Sequence, residues 1–122
     1  HGPTFMGNAL ACSVACASID LLLASPWQQR VKSIEEAMTS GLSPCLDLPD
    51  VADVRTLGAI GVVEMRHPVN VERLQSFFVR QGVWIRPFGK TIYLMPPYSM
   101  VSREVNRLTE AIFHALSEGI HV

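Results

Sequence analysis

Lysine is nearly absent from the chain. Its 122 residues hold only Lys32 and Lys90. Schiff-base chemistry requires an amine in an apolar setting that favours its neutral form. Helical spacing puts Lys32 on an outward helix face, and Lys90 falls in a turn, so neither qualifies. Charge of one sign is also missing: Lys plus Arg total 10 against 11 Asp plus Glu, a net charge of -1. The basic residues are scattered and leave no electrostatic footprint for nucleic acid or an anionic membrane. Cysteine is scarce and odd in number, with Cys12, Cys16 and Cys45 and no CxxC. These read as small reduced core residues, which favours a reducing cytosol over a disulfide scaffold. Cys12 and Cys16 lie one helical turn apart, but no His or second Cys pair converges on them, which argues against zinc. His67 and His114 lack a Ser or Cys partner, and Glu35-Glu36 reads as a solvated helix face. Long apolar runs are absent too. Residues 10–24 are too short for a bilayer and are broken by Ser13, Ser18 and Asp20. No basic segment precedes them, as a signal peptide would require. The sequence starts at His1 and not Met, and it reads as a piece of a longer chain.

What is present is apolar: 48% hydrophobic residues in one domain's length, enough for a core. After a glycine-punctuated leading loop, Asn8 is placed to cap a helix over residues 9–24. Ala11, Ala15 and Ser18 form one stripe of that helix, and Cys12, Cys16 and Ile19 the next. Small residues on several faces predict packing against another domain or subunit. Ser25-Pro26 predicts a cap and first turn, followed by Trp27, Val31, Ile34 and Met38 at helical spacing, with Gly41 closing the helix. Residues 42–50, with Pro44 and Pro49, read as a loop. Residues 51–57 and 59–65 predict paired strands around Gly58, the second of them central, with Gly61 marking a bulge or a close approach. Asn70 is expected to cap a helix with Val71, Leu74, Phe77 and Phe78 inward, stopped by Gly82. Residues 83–86 and 91–95 predict a hairpin joined by Pro87-Phe88-Gly89-Lys90. Ser102 is expected to cap the last helix, whose Val105, Leu108, Ile112 and Leu116 face inward until Gly119. The order gives an α+β two-layer sandwich, divided into a leading loop and linking helix (1–24) and an α+β domain (25–122).

Two places offer binding chemistry. In the run 83–86, alternation puts Val83 and Ile85 on one face, with Trp84 and Arg86 on the other. A guanidinium on an otherwise apolar strand needs an anion, and its planar fork suits a carboxylate. An internal Asp or Glu, or solvent, would answer it equally well. Gly2-Pro3-Thr4 ahead of a helix has the backbone donors and the hydroxyl to hold a phosphate, though many ordinary loops enter helices this way. On residues alone the chain lacks a nucleophile and a general base. A non-catalytic carboxylate-binding or self-association module is the competing reading.

The residues from His1-Gly2-Pro3-Thr4-Phe5-Met6-Gly7-Asn8 to Ala11 resemble the segment that opens the C-terminal portion of class III pyridoxal-phosphate-dependent aminotransferases. Val54-Arg55-Thr56-Leu57-Gly58, Gly82-Val83-Trp84-Ile85-Arg86-Pro87-Phe88-Gly89-Lys90 and Ile92-Tyr93-Leu94-Met95-Pro96-Pro97-Tyr98 narrow the likeness. They point to members that move the amino group of S-adenosylmethionine to 8-amino-7-oxononanoate in biotin biosynthesis. The resemblance implies the small two-layer C-terminal domain of a fold-type I enzyme, its sheet rich in antiparallel pairs with helices on one side. It implies a cytoplasmic homodimer whose active site lies at the subunit interface. Pro3 and Thr4 would bind the pyridoxal phosphate group across that interface, Gly2 would contact substrate, and Arg86 would bind the substrate carboxylate. The family's Schiff-base lysine has no match here, so no catalytic residue carries over, and the segment alone is expected to be inactive. Ala9 stands where family members commonly have Pro.

Overall fold

The computed structural model describes Gly2, Thr4 and residues 6–122. Asn8 starts the first helix as its position predicts: its Oδ1 accepts the Ala11 N–H at 2.9 Å, and α1 runs over Ala9–Leu23. None of its residues is buried, and Leu10, Val14, Ile19, Leu21 and Leu23 all stand exposed. Cys12 and Cys16 are exposed with them, against the expectation that the cysteines lie in the core; only Cys45 is buried. The backbone after α1 turns through Ser25, but Ser25 does not cap the next helix. Its Oγ donates to Leu22 O at 2.8 Å, finishing α1, and α2 (Trp27–Leu42) begins after Pro26 with no side-chain cap.

Ile34, Met38 and Leu42 form the buried stripe of α2. Gly41 does not close this helix. It lies inside it because α4 (Ser102–Ser117) crosses there: a Cβ at 41 would fall 2.2 Å from Thr109 Oγ1. The stretch expected to be a loop instead tightens into a 3₁₀ turn, Ser43–Asp47, which carries Cys45 into the core.

The sheet holds β1 (Val51–Leu57), β2 (Ile60–Met65) and β3 (Thr91–Leu94), antiparallel in the order β1-β2-β3 with β2 central. Gly58, at φ 55°, turns the chain between the first two strands. Glu35 stands half-buried beneath that turn with its Oε1 accepting the Gly58 N–H at 2.9 Å, so it is not part of a solvated face. A register shift between Val51 and Asp53 inserts one extra residue, which brings Val51 and Val54 opposite the buried Met65 and Val63. Gly61 is a close approach, with Met38 Sδ and Leu42 Cδ1 each 3.0 Å from where a Cβ would stand. The sheet therefore buries one face, through Val63, Met65, Ile92 and Leu94, while Ile60 and Tyr93 on the other remain exposed.

Asn70 caps α3 (Val71–Arg80), accepting the Arg73 N–H at 3.1 Å, and Leu74, Phe77 and Phe78 enter the core. Ser102 is the first residue of α4 and not its cap. The Val101 N–H is met instead by the Glu104 carboxylate at 3.0 Å. Val105, Ile112 and Leu116 are buried along that helix, and Gly119, at φ 68°, ends it.

Candidate functional site

The segment between α3 and β3 carries the arginine singled out above. Gly82, at φ 72°, swings the chain out of α3, and the Val83 N–H then bonds Phe78 O at 3.0 Å. Residues 83–87 make no ladder with a neighbouring strand, so the predicted first strand of the hairpin does not form. The alternation survives without it: Ile85 and Pro87 are buried, while Trp84, Arg86 and Phe88 face outward. The hairpin itself is shorter than predicted, a two-residue Gly89-Lys90 connection between reciprocal Phe88 and Thr91 bonds of 2.8 Å. Gly89 takes φ 57°, the positive value that such a tight turn needs at its first central position.

Arg86 lines a cleft of about 510 Å³ with Trp84, Tyr93, Met95, Glu104 and Arg107. Its guanidinium has no hydrogen-bond or ion-pair partner among the described residues and stands exposed. Of the three ionised groups, the other two are engaged elsewhere. Glu104 accepts from Val101, and Arg107 Nη2 donates to Gln81 O at 3.0 Å. The internal acid that could have neutralised Arg86 is thus not supplied. Apolar walls with one unanswered guanidinium suit a ligand that carries a carboxylate on a hydrocarbon body.

The leading loop does not join this cleft. Gly2 and Thr4 are exposed and line no part of it, and Pro3 lies outside the described residues. Lys32 and Lys90 are likewise exposed and apart from the cleft. The described residues do not by themselves build a site for pyridoxal phosphate: they offer an exposed Thr4 hydroxyl and no amine within the Arg86 cleft. No group of three or more metal-ligating side chains forms among them, and none of their helices is long and apolar enough to cross a membrane.

Three polar features escaped sequence reasoning. His121, only 7% exposed, meets Asp50 at 3.0 Å across 71 positions of sequence, with its Nδ1 buried and unpartnered. Arg55 pairs with Asp53 and Glu64 at 2.8 and 2.7 Å on the exposed sheet face, where such pairs contribute little. Arg107, on α4, donates to Gln81 O at the end of α3. Periodicity could not find its role, because that depends on where α4 crosses the end of α3. Burial pushes the Cys45 thiol up to about 11.

Set beside known proteins, the chain matches the profile of the class-III aminotransferases over residues 1–116. It is 50% identical over 119 residues to the adenosylmethionine-8-amino-7-oxononanoate aminotransferase of Corynebacterium glutamicum, covering 98% of this chain and 28% of that protein. Its fold is similar to the crystal structure of the enzyme of the same name from Methanocaldococcus jannaschii, with TM-score 0.84 and 26% identity over 97% of this chain and 30% of that one. An amine transaminase from an uncultivated Pseudomonas species, solved in its PLP-bound form, gives TM-score 0.84 at 25% identity over 97% of this chain and 29% of that one. The chain therefore spans somewhat over a quarter of the length of such relatives, about 28% for the Corynebacterium protein. Motif wording, fold and profile agree, and the chain belongs to the class-III aminotransferase family.

Proposed function

We propose that this chain is the C-terminal segment of a pyridoxal-phosphate-dependent aminotransferase. The whole enzyme transfers the amino group of S-adenosylmethionine to 8-amino-7-oxononanoate, giving 7,8-diaminononanoate for biotin biosynthesis. The observation that carries the reading is the unanswered Arg86 guanidinium on an otherwise largely apolar cleft. Names of relatives at up to 50% identity supply the substrates. Arg86 then acts as an orienting clamp. It grips the carboxylate of the oxononanoate and fixes the direction of its hydrocarbon chain, so that the distant ketone is presented where the chemistry occurs.

The remaining assignments concern surfaces that this segment does not close by itself. Gly2 would touch substrate, and Pro3 with Thr4 would hold the cofactor phosphate of a second subunit. This reading makes the enzyme a cytoplasmic homodimer. The two-subunit part of it is supported by the exposure of Gly2 and Thr4 away from the Arg86 cleft, and by the exposed apolar residues of α1, which sit on a helix with no buried residue. The isolated segment would neither hold the cofactor covalently nor transaminate, since its lysines stand apart from the cleft.

The test is Arg86→Ala in the full-length enzyme. A lost bidentate bond to a charged group corresponds to about 1.5–3 kcal/mol, so KM for the oxononanoate should rise at least about tenfold. Unchanged kinetics would remove Arg86 from the site.

A further inference from the structure

We propose that Arg107 is a positioning residue for Arg86, acting through the turn that ends α3. The inference rests on the reading of Arg86 as the carboxylate clamp. The last carbonyls of a helix have no partner within it, and a cation placed there is favoured by the helix dipole. At the end of α3 the Gln81 N–H bonds Phe77 O at 3.0 Å, while the Gln81 carbonyl is taken by Arg107 Nη2, also at 3.0 Å. The guanidinium lies close against the next residue as well, since a Cβ on Gly82 would stand 2.5 Å from Arg107 Nη2. Arg107 therefore braces Gln81 and Gly82, the two residues from which the segment 83–87 departs.

That brace matters because the segment has little else to set its course. Residues 83–87 share no ladder with β3 or any other strand, so sheet register does not fix Arg86. What fixes it is the anchorage of its ends and the seating of Ile85 and Pro87 in the core. The far end is held by the Phe88–Thr91 bridge, and the near end by the Val83 bond to Phe78 together with the Gln81–Arg107 contact. Arg107 lines the same cleft as Arg86, yet its fork is already turned to the backbone. Its part is to hold the clamp in place, and Arg86 alone grips the carboxylate.

Positioning and direct binding differ in a double-mutant cycle on the full-length enzyme. Arg107→Met keeps most of the aliphatic stem and loses the bond to Gln81. It should raise KM for the oxononanoate about threefold to tenfold, the range of an ordinary hydrogen bond acting at one remove from the substrate, with kcat within about twofold. In an Arg86→Ala background the same change should add nothing to KM. Arg107→Lys, which can still reach the carbonyl, should fall between wild type and Arg107→Met and serves if the methionine variant folds poorly. Additive effects of Arg86→Ala and Arg107→Met would mean that Arg107 meets the substrate itself, and would overturn the proposal. An unchanged KM in both Arg107 variants, with Arg86→Ala raising it, would overturn it while leaving the clamp intact. If Arg86→Ala itself left KM unchanged, the clamp reading would fall and take this one with it. A KM rise of equal size in Asp50→Ala, a variant remote from the turn, would reduce the effect to general stability and likewise overturn it.

Discussion

Replacing Gly41 by Ala should destabilise the chain, against the usual direction of that change inside a helix. On propensity alone the substitution in α2 would gain about 1 kcal/mol. The new Cβ, however, would stand 2.2 Å from Thr109 Oγ1, 2.7 Å from Thr109 Cβ and 3.0 Å from Thr109 Cγ2. Rotating Thr109 cannot clear both γ atoms, since in every staggered rotamer one of them occupies one of the two crowded positions. Rotation would also break the bond from its Oγ1 to Asn106 O at 2.9 Å, and it would leave the Cβ contact untouched. The helices α2 and α4 must then separate, and overpacking of this kind costs about 1–3 kcal/mol, with the upper end or beyond expected where backbone has to move. The net loss is about 2 kcal/mol, which for a domain of this size lowers Tm by about 6–10 °C. Thermal unfolding followed by circular dichroism measures it directly. Combining Gly41→Ala with Thr109→Ala should recover part of the loss, because two of the three contacts disappear. A Tm for Gly41→Ala equal to or above that of the parent chain would refute the close crossing of the helices.

The thiols should divide two to one: a thiol reagent at mildly alkaline pH modifies the exposed Cys12 and Cys16 at once, and the buried Cys45 only on unfolding. Rapid reaction of all three would contradict the burial. The Cys45 thiol is pushed up from 9.0 to about 11, so above the lower value the unfolded chain ionises while the folded one does not. Its contribution to stability is therefore complete below that value and is lost towards the higher one, at no more than about 1.4 kcal/mol per pH unit. Cys45→Ala should remove this part of the alkaline slope, and parallel curves for the two proteins would dispose of it. Asp50→Ala strips the last partner from an imidazole that is 7% exposed and already has Nδ1 unpaired, at a cost of about 1–3 kcal/mol. A urea midpoint equal to that of the parent would show that the pair contributes nothing.

Features set by neighbours a few residues away were legible in the chain. The inward faces of α2, α3 and α4 follow the 3.6-residue period, Asn8 and Asn70 cap the helices they precede, and Gly58 turns β1 into β2. What failed did so where one residue type answers two different physical demands. Gly41 resembles a helix terminator because glycine tolerates unusual backbone angles, yet its use here is the side chain it lacks, and only the crossing of α4 reveals that. Residues 83–86 resemble a strand because alternation reports which side chains are buried. It carries no information on ladder bonds, and Ile85 and Pro87 in the core satisfy the same pattern without a partner strand.

The fate of Arg86 shows how the same distinction bears on the site. Whether an internal acid answers it is a question about every carboxylate near the cleft, which no local pattern around residue 86 can settle. Several of the acids in the fold are already engaged by other groups. Glu104, two places after the first residue of α4, reaches back to the Val101 N–H as acids at that position commonly do. Glu35 is held by the backbone of the β1–β2 turn, and Arg55 holds Asp53 on its own strand and Glu64 on the next. Glu104, the carboxylate that shares the cleft, is thus drawn to its own helix start by an obligation written within three residues of it. The guanidinium is left open because the local needs of the fold are met first, and that is the condition under which a ligand's carboxylate can compete for it.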